Sequence, residues 1–101
     1  MVFGSGYVLD KVDKVVTMYT QEDVRRLTWQ CRRGMLELDA LFVPFMQQAF
    51  VNLEDQDKDK FVKLLACEDQ DLFFWLMQRG KSEDPELQYM VELILKRVQP
   101  A

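Results

Sequence analysis

The side chains that could carry chemistry in this chain are carboxylates, arginines and two thiols, because histidine is absent. Without histidine the chain lacks the Ser-His and Cys-His nucleophilic pairs, the commonest metal ligand and the usual acid-base group at neutral pH. Two cysteines, Cys31 and Cys67, cannot complete a standard structural zinc site. Carboxylates can act alone, but this inventory favours a protein with no catalytic residues, no metal site and no enzymatic activity.

A basic run, a glycine and an acidic run follow one another in residues 31–39, Cys-Arg-Arg-Gly-Met-Leu-Glu-Leu-Asp. Arginines suit the end of a helix, whose free carbonyls carry partial negative charge, and Glu37 suits the first turn of the next helix. Gly34 can adopt the positive φ that such a connection requires. Two interpretations stay open. Arg33, Gly34 and Glu37 form a contact surface, or Arg33 pairs with Glu37 across the turn and Gly34 is needed only for its φ angle.

Two aromatic residues are further candidates for partner contacts. Trp29 shares a helix face with Arg25 and Arg32, and this stripe either packs arginine stems over the indole or contacts a partner. A Trp29 ring turned into the core is the simpler interpretation. Phe74 lies between Phe73 and Trp75, and three consecutive rings cannot share one helix face. We therefore expect Phe74 to be exposed or to fill a second interface.

Composition limits the classes of protein to consider. A chain of 101 residues, 49% hydrophobic and 30% charged, suffices for one globular domain. A net charge of -4 argues against a nucleic-acid binder that relies on Arg25, Arg26, Arg32 and Arg33. Two cysteines in apolar helical patterns suggest buried thiols in a reducing compartment. No membrane span or signal peptide is recognisable, so we expect a cytoplasmic location.

Apolar residues at helical spacing predict an all-α fold, a small compact bundle of about five short helices with a flexible N-terminal leader. Residues 1–17 show no period and read as a leader, tag-derived or disordered, and residues 18–101 form the single helical domain. The first helix should start at a cap formed by Thr20 with Asp23, and the second should run from Leu36 to Phe50 with a kink or break at Pro44. The third should open at residues 52–55 and direct three lysines outward: Lys58, Lys60 and Lys63. The fourth should run from Glu68 to Gly80 and the fifth from Asp84 to Pro100.

Two extended blocks resemble the SdhE/YgfY family: residues 29–39, Trp-Gln-Cys-Arg-Arg-Gly-Met-Leu-Glu-Leu-Asp, and residues 64–77, Leu-Leu-Ala-Cys-Glu-Asp-Gln-Asp-Leu-Phe-Phe-Trp-Leu-Met. The first block contains the family's Arg-Gly-x-x-Glu signature. The likeness extends over residues 20–98. It departs from the family at Gln70 and Glu54, which concern helix capping more than chemistry.

The resemblance implies a five-helix assembly factor that assists covalent attachment of FAD to the flavoprotein subunit of succinate dehydrogenase, an enzyme of the tricarboxylic acid cycle. In that family the flavin is tethered through a histidine of the flavoprotein, so the factor needs a docking surface and no nucleophile. The implied surface centres on Arg33, Gly34 and Glu37. The full set of partner-binding candidates adds Arg32, Asp39, Trp29 and Phe74.

The resemblance further implies a chain that binds no cofactor stably and acts on FAD indirectly, within the partner. It leaves open whether the chain contacts FAD itself and whether the flavoprotein of fumarate reductase is a second partner. We expect a monomer that binds neither nucleic acid nor membrane. The alternative function is a regulatory adaptor or antitoxin-like module that binds another protein through the same helical surface.

Overall fold

The computed structural model describes residues 19–98. The expected leader, residues 1–17, and the stop at Pro100 lie outside that range. Within it there are five α-helices, one 3₁₀-helix and no strand, which confirms the all-α prediction. The elements in chain order are α1 Gln21–Gln30, α2 Leu36–Gln48, the 3₁₀-helix Phe50–Asn52, α3 Asp55–Leu65, α4 Asp69–Leu76 and α5 Pro85–Arg97.

Two helix starts follow the predicted capping chemistry. At α1 the Thr20 Oγ1 accepts from the Asp23 backbone N–H at 3.1 Å, and the Thr20 N–H donates to the Asp23 carboxylate at 3.0 Å. At α5 the Asp84 carboxylate accepts from the Glu86 N–H at 2.9 Å, directly before Pro85 as first helical residue. Both starts satisfy backbone N–H groups that have no partner inside the helix.

The core is built around α2, whose inward face is an apolar stripe. Phe42 and Phe45 from this helix and Phe50 after it surround the Phe61 ring of α3, at centroid distances of 6.1, 5.2 and 5.6 Å. All four rings are fully buried. Such clusters stabilise a small domain mainly through the apolar area they remove from water. This ring cluster holds the middle of α2 against α3.

Of the kink or break predicted at Pro44, the break is wrong, since α2 runs through this residue to Gln48. It also ends before Phe50, which belongs to the 3₁₀-helix. Proline removes one helical N–H, so the carbonyl of Ala40 loses its usual donor. Ala40 is exposed, and water can serve that carbonyl. The surface position of this turn explains why the helix tolerates Pro44.

The prediction that Lys58 points outward is also wrong. Lys58 is buried, with its ammonium 5.6 Å from the centroid of the Phe50 ring and 3.9 Å from the Asp55 carboxylate. Its aliphatic stem packs on apolar surface while the charged end lies near a carboxylate and an aromatic face. Lys60 is half-buried with its ammonium 4.7 Å from the Tyr89 ring, and only Lys63 is exposed as predicted.

No helix in residues 19–98 is long and apolar enough to cross a membrane.

Candidate functional site

Two of the signature residues, Arg33 and Gly34, lie in the connection between α1 and α2, residues 31–35, and Glu37 lies in the first turn of α2. Cys31 ends α1 as its C-cap and is fully buried. Gly34 has φ of +85°, the positive value predicted for it. Met35 precedes α2 as an N-cap residue without a side-chain cap. The connection is tightened instead by the Arg33 backbone N–H, which donates to the Asp39 carboxylate at 2.7 Å.

The Arg33 side chain turns inward. Its Nε donates to the Asp69 carboxylate at 2.7 Å, its Nη1 donates to the carbonyls of Leu65 at 2.8 Å and Gln30 at 3.1 Å, and its Nη2 donates to the Cys67 carbonyl at 2.9 Å. The side chain is only 16% exposed. We call this network, Arg33 with its carboxylate and carbonyl acceptors, the Arg33 clamp.

The Arg33 clamp joins the α1–α2 connection to the α3–α4 connection. A guanidinium is suited to this role, because its five N–H groups form a rigid fork that reaches several acceptors at once. The structural alternative of an Arg33–Glu37 pair is not what forms, since the carboxylate partner is Asp69. No local pattern predicts a pair 36 residues apart. One indirect sign of this pairing is present in the sequence: Arg33 lies in the first block that resembles the SdhE/YgfY family, residues 29–39, and Asp69 lies in the second, residues 64–77.

The other two signature residues face outward. Gly34 and Glu37 are exposed, and Leu36 between them is 82% exposed. A Cβ added to Gly34 would meet no atom within 4 Å. In the described part of the chain, Glu37 has no hydrogen bond or ion pair. We call Gly34, Leu36 and Glu37 the open face.

A groove of about 680 Å³ begins at the open face. Its walls are the first half of α2 and the last residues of α4 and α5, and its lining is mostly apolar. Glu37 is the one charged residue among the described residues that line it. The lining also includes Leu36, Ala40, Pro44, Met77 and Val98.

The remaining partner-binding candidates occupy different places. Arg32 is exposed beside the clamp, whereas Asp39 is half-buried and accepts from the Arg33 N–H. Trp29 is 72% exposed, so the interpretation that its ring turns into the core is wrong. Within residues 19–98 no arginine lies over this ring. Phe74 is exposed as predicted, and it is not among the residues that line the groove.

The two free thiols are poorly suited to chemistry. Burial raises the pKa of the Cys31 thiol to about 12, opposed only in part by the Arg33 charge. Burial also raises the pKa of Cys67. Cys67 lies between α3 and α4 and is half-buried, where the sequence had suggested a buried helical position. A nucleophilic cysteine needs a lowered pKa, so neither residue has the character of one.

Metal-ligand clusters are also missing from the described region, where no three Cys, Asp or Glu residues are placed to hold an ion. The site therefore consists of two parts: an arginine network that fixes the backbone, and an exposed glycine–leucine–glutamate face continuous with an apolar groove. Such an arrangement can bind a surface of another molecule.

Comparisons with known proteins agree with the resemblance seen in the sequence. A family model, Sdh5, described as flavinator of succinate dehydrogenase, matches residues 25–98. An FAD assembly factor SdhE of Pseudomonas putida is 57% identical over 83 residues, which are 82% of this chain and 99% of that protein. The SdhE of Pseudomonas aeruginosa is 54% identical over the same shares, and that of Pasteurella multocida 52% over 77 residues, 76% of this chain and 92% of that protein. The chain thus belongs to the Sdh5 family, the flavinators of succinate dehydrogenase.

Proposed function

We propose that this chain is an FAD assembly factor that binds the immature flavoprotein subunit of succinate dehydrogenase and promotes covalent attachment of FAD to it. The observation that carries the proposal is the outward position of Gly34 and Glu37. Two of the three signature residues present themselves to solvent with no partner in the described part of the chain, as a docking surface requires. The family match supports the identity of the partner.

The chemistry belongs to the partner in this proposal. In the family that the sequence resembles, the flavin is tethered through a histidine of the flavoprotein, which fits a chain that contains no histidine of its own. The factor contributes by holding the flavoprotein so that its FAD and histidine stay in a reactive arrangement. Positioning of reacting groups alone can lower a barrier by several kcal/mol. FAD remains in the partner, and the assembly factor acts as a monomer in the cytoplasm without a cofactor of its own.

The candidate residues contribute to docking in different ways. Glu37 accepts hydrogen bonds from donors of the flavoprotein, and Gly34 lets its backbone approach closely. Arg33 and Asp39 act as positioning residues that hold the open face. Arg32 and Trp29 extend the contact along α1. Phe74 on α4 is proposed as a second, separate contact.

Two glycine variants test the proposal. Both Gly34→Ala and Gly34→Arg add a Cβ to a residue with positive φ, which should lower the free energy of unfolding by about 1–2 kcal/mol in each variant. Only Gly34→Arg places bulk on the open face. With the flavoprotein subunit co-expressed, in-gel flavin fluorescence should show that Gly34→Ala keeps most of the covalent flavin and that Gly34→Arg loses it.

Glu37→Ala tests the carboxylate, with the exposed Glu83→Ala as matched control. Hydrogen bonds to charged groups contribute about 1.5–3 kcal/mol, so affinity for the flavoprotein should fall about 10- to 100-fold. The melting temperature should stay near that of the unchanged protein. Unchanged covalent flavin in folded Gly34→Arg and Glu37→Ala would refute the proposal. Repeating the assay with the fumarate reductase flavoprotein decides whether it is also a partner.

A further inference from the structure

The groove beside Glu37 is lined mostly by apolar residues and opens to solvent. Leu36 at its mouth is 82% exposed, and Ala40 on the next turn of α2 is exposed as well. Met77 and Val98 form the opposite wall from α4 and α5. A concave, mostly apolar groove with one charged residue at its edge has the form of a binding site. Its volume of about 680 Å³ accommodates several side chains.

The groove is continuous with the docking surface. Leu36 lies between Gly34 and Glu37, so a partner that contacts both signature residues must cover Leu36 and the mouth of the groove. Glu37 itself lines the groove. Met77 is unbranched and adapts its shape to an incoming side chain.

Charge decides what kind of surface fits. Glu37 is the only charged group among the described lining residues, and an occupant that covered it without a cation would leave a carboxylate uncompensated. A second copy of this chain would bring a second Glu37 into the same contact, and each copy carries a net charge of -4. A basic residue on an otherwise apolar surface meets both requirements.

We infer that the groove receives apolar side chains of the flavoprotein subunit, with a lysine or arginine of that subunit facing Glu37. This inference rests on the proposed function. It adds a second element to recognition: the open face positions the partner, and the groove selects a flavoprotein surface that pairs apolar side chains with a basic one. Pro44 keeps the far end of the α2 wall apolar.

Binding of purified flavoprotein subunit to variants of the full chain tests the inference by titration calorimetry. Ala40→Arg fills the groove with a charged side chain, and Gln47→Arg places the same residue on an exposed position of α2 that does not line it. Leu36→Ser is matched by Val51→Ser, because Val51 is 71% exposed on the 3₁₀-helix. We expect Ala40→Arg and Leu36→Ser to weaken binding about tenfold or more, as for central interface residues, and both controls to stay within about twofold.

The salt dependence of binding tests whether a lysine or arginine of the flavoprotein faces Glu37. Binding of the unchanged chain should weaken as salt concentration rises, and Glu37→Gln should show a smaller salt dependence. Wild-type affinity in both groove variants, or an effect of those variants on self-association instead, overturns the inference. In that case Gly34→Arg still reports on the proposed function separately. If the unchanged chain does not bind the flavoprotein at all, the proposed function itself fails.

Discussion

Arg33 and Gly34 are neighbours in the chain, yet they belong to opposite sides of the α1–α2 connection. The Arg33 side chain makes four hydrogen bonds within the protein, to Asp69 and three backbone carbonyls. At Gly34 a Cβ would meet nothing within 4 Å. The Arg33 side chain therefore stabilises the fold, whereas Gly34 leaves open space at the surface that another molecule could occupy.

The difference shows that residues of one short signature need not share a role. Arg33 fixes the path of the backbone by linking two connections that are far apart in sequence. Gly34 and the first turn of α2, with Glu37, are thereby held in place, which is what a preorganised binding surface needs. Under the proposed function, a change at Arg33 should impair both stability and docking, whereas a change at Glu37 should impair docking alone.

The inward side of the connection is tested most sharply at Cys31. Burial raises the pKa of the Cys31 thiol from 9.0 to about 12, so at a fixed pH below 9 the folded chain holds far less thiolate than the unfolded chain. In a Cys67→Ser variant, the remaining thiol should react with a disulfide reagent at pH 8 more than about tenfold more slowly than in denaturant, because it is fully buried and holds less thiolate. Equal rates would show that the inward side opens readily.

The same shift gives a pH dependence of stability. Because the thiol ionises at lower pH in the unfolded chain, its contribution to the free energy of unfolding is complete below pH 9 and is lost as pH rises toward 12. The pKa of Tyr19 is also raised to about 12, chiefly by burial, and acts in the same direction. Denaturation midpoints measured from pH 7 to 11 should fall only above pH 9, and less steeply in Cys31→Ala.

Breaking the Arg33 clamp should lower the free energy of unfolding clearly, because the Arg33 side chain is only 16% exposed and holds several acceptors. Arg33→Ala leaves the Asp69 carboxylate and several carbonyls without their donor, so the free energy of unfolding should fall by about 2–3 kcal/mol. Arg33→Lys keeps the charge but loses the fork of donors, and should recover only part of that loss.

Arg32→Ala is the matched control for the Arg33 clamp, because Arg32 is the exposed neighbour. Its effect on urea denaturation should lie within about 0.5 kcal/mol. If Arg32→Ala and Arg33→Ala destabilise equally, the contrast between the two sides of the connection does not hold.

Local rules explain what the sequence could predict. The Thr20 and Asp84 caps depend on residues two or three positions away, and both form as expected. The five helices follow from apolar spacing, and the positive φ of Gly34 follows from its position between two helices. The exposure of Phe74 follows from three rings in a row. In each case the deciding neighbours are within about one helical turn.

The predictions that were wrong concern features that are set by tertiary packing and not by neighbours in sequence. Lys58 is buried because the Phe50 ring lies beside it, and Pro44 is tolerated because its turn faces solvent. The outward direction of Trp29 depends on where α1 lies against the bundle. The Arg33–Asp69 bond joins residues 36 positions apart. The candidate site was therefore located from the sequence, while its division into a clamp and an open face was not.

The smallest effect on stability is expected at Trp29, which lies on α1 at the edge of the proposed docking surface. Because its ring is 72% exposed, Trp29→Ala should change the free energy of unfolding by no more than about 0.5 kcal/mol. Incorporation of 5-fluorotryptophan gives two fluorine NMR signals, and Trp75→Phe identifies the one from Trp29. Addition of unlabelled flavoprotein subunit should shift the Trp29 signal, since its ring is exposed on α1. A Trp29 signal that stays fixed while binding is saturated would confine the interface to the open face and the groove, and would remove α1 from it.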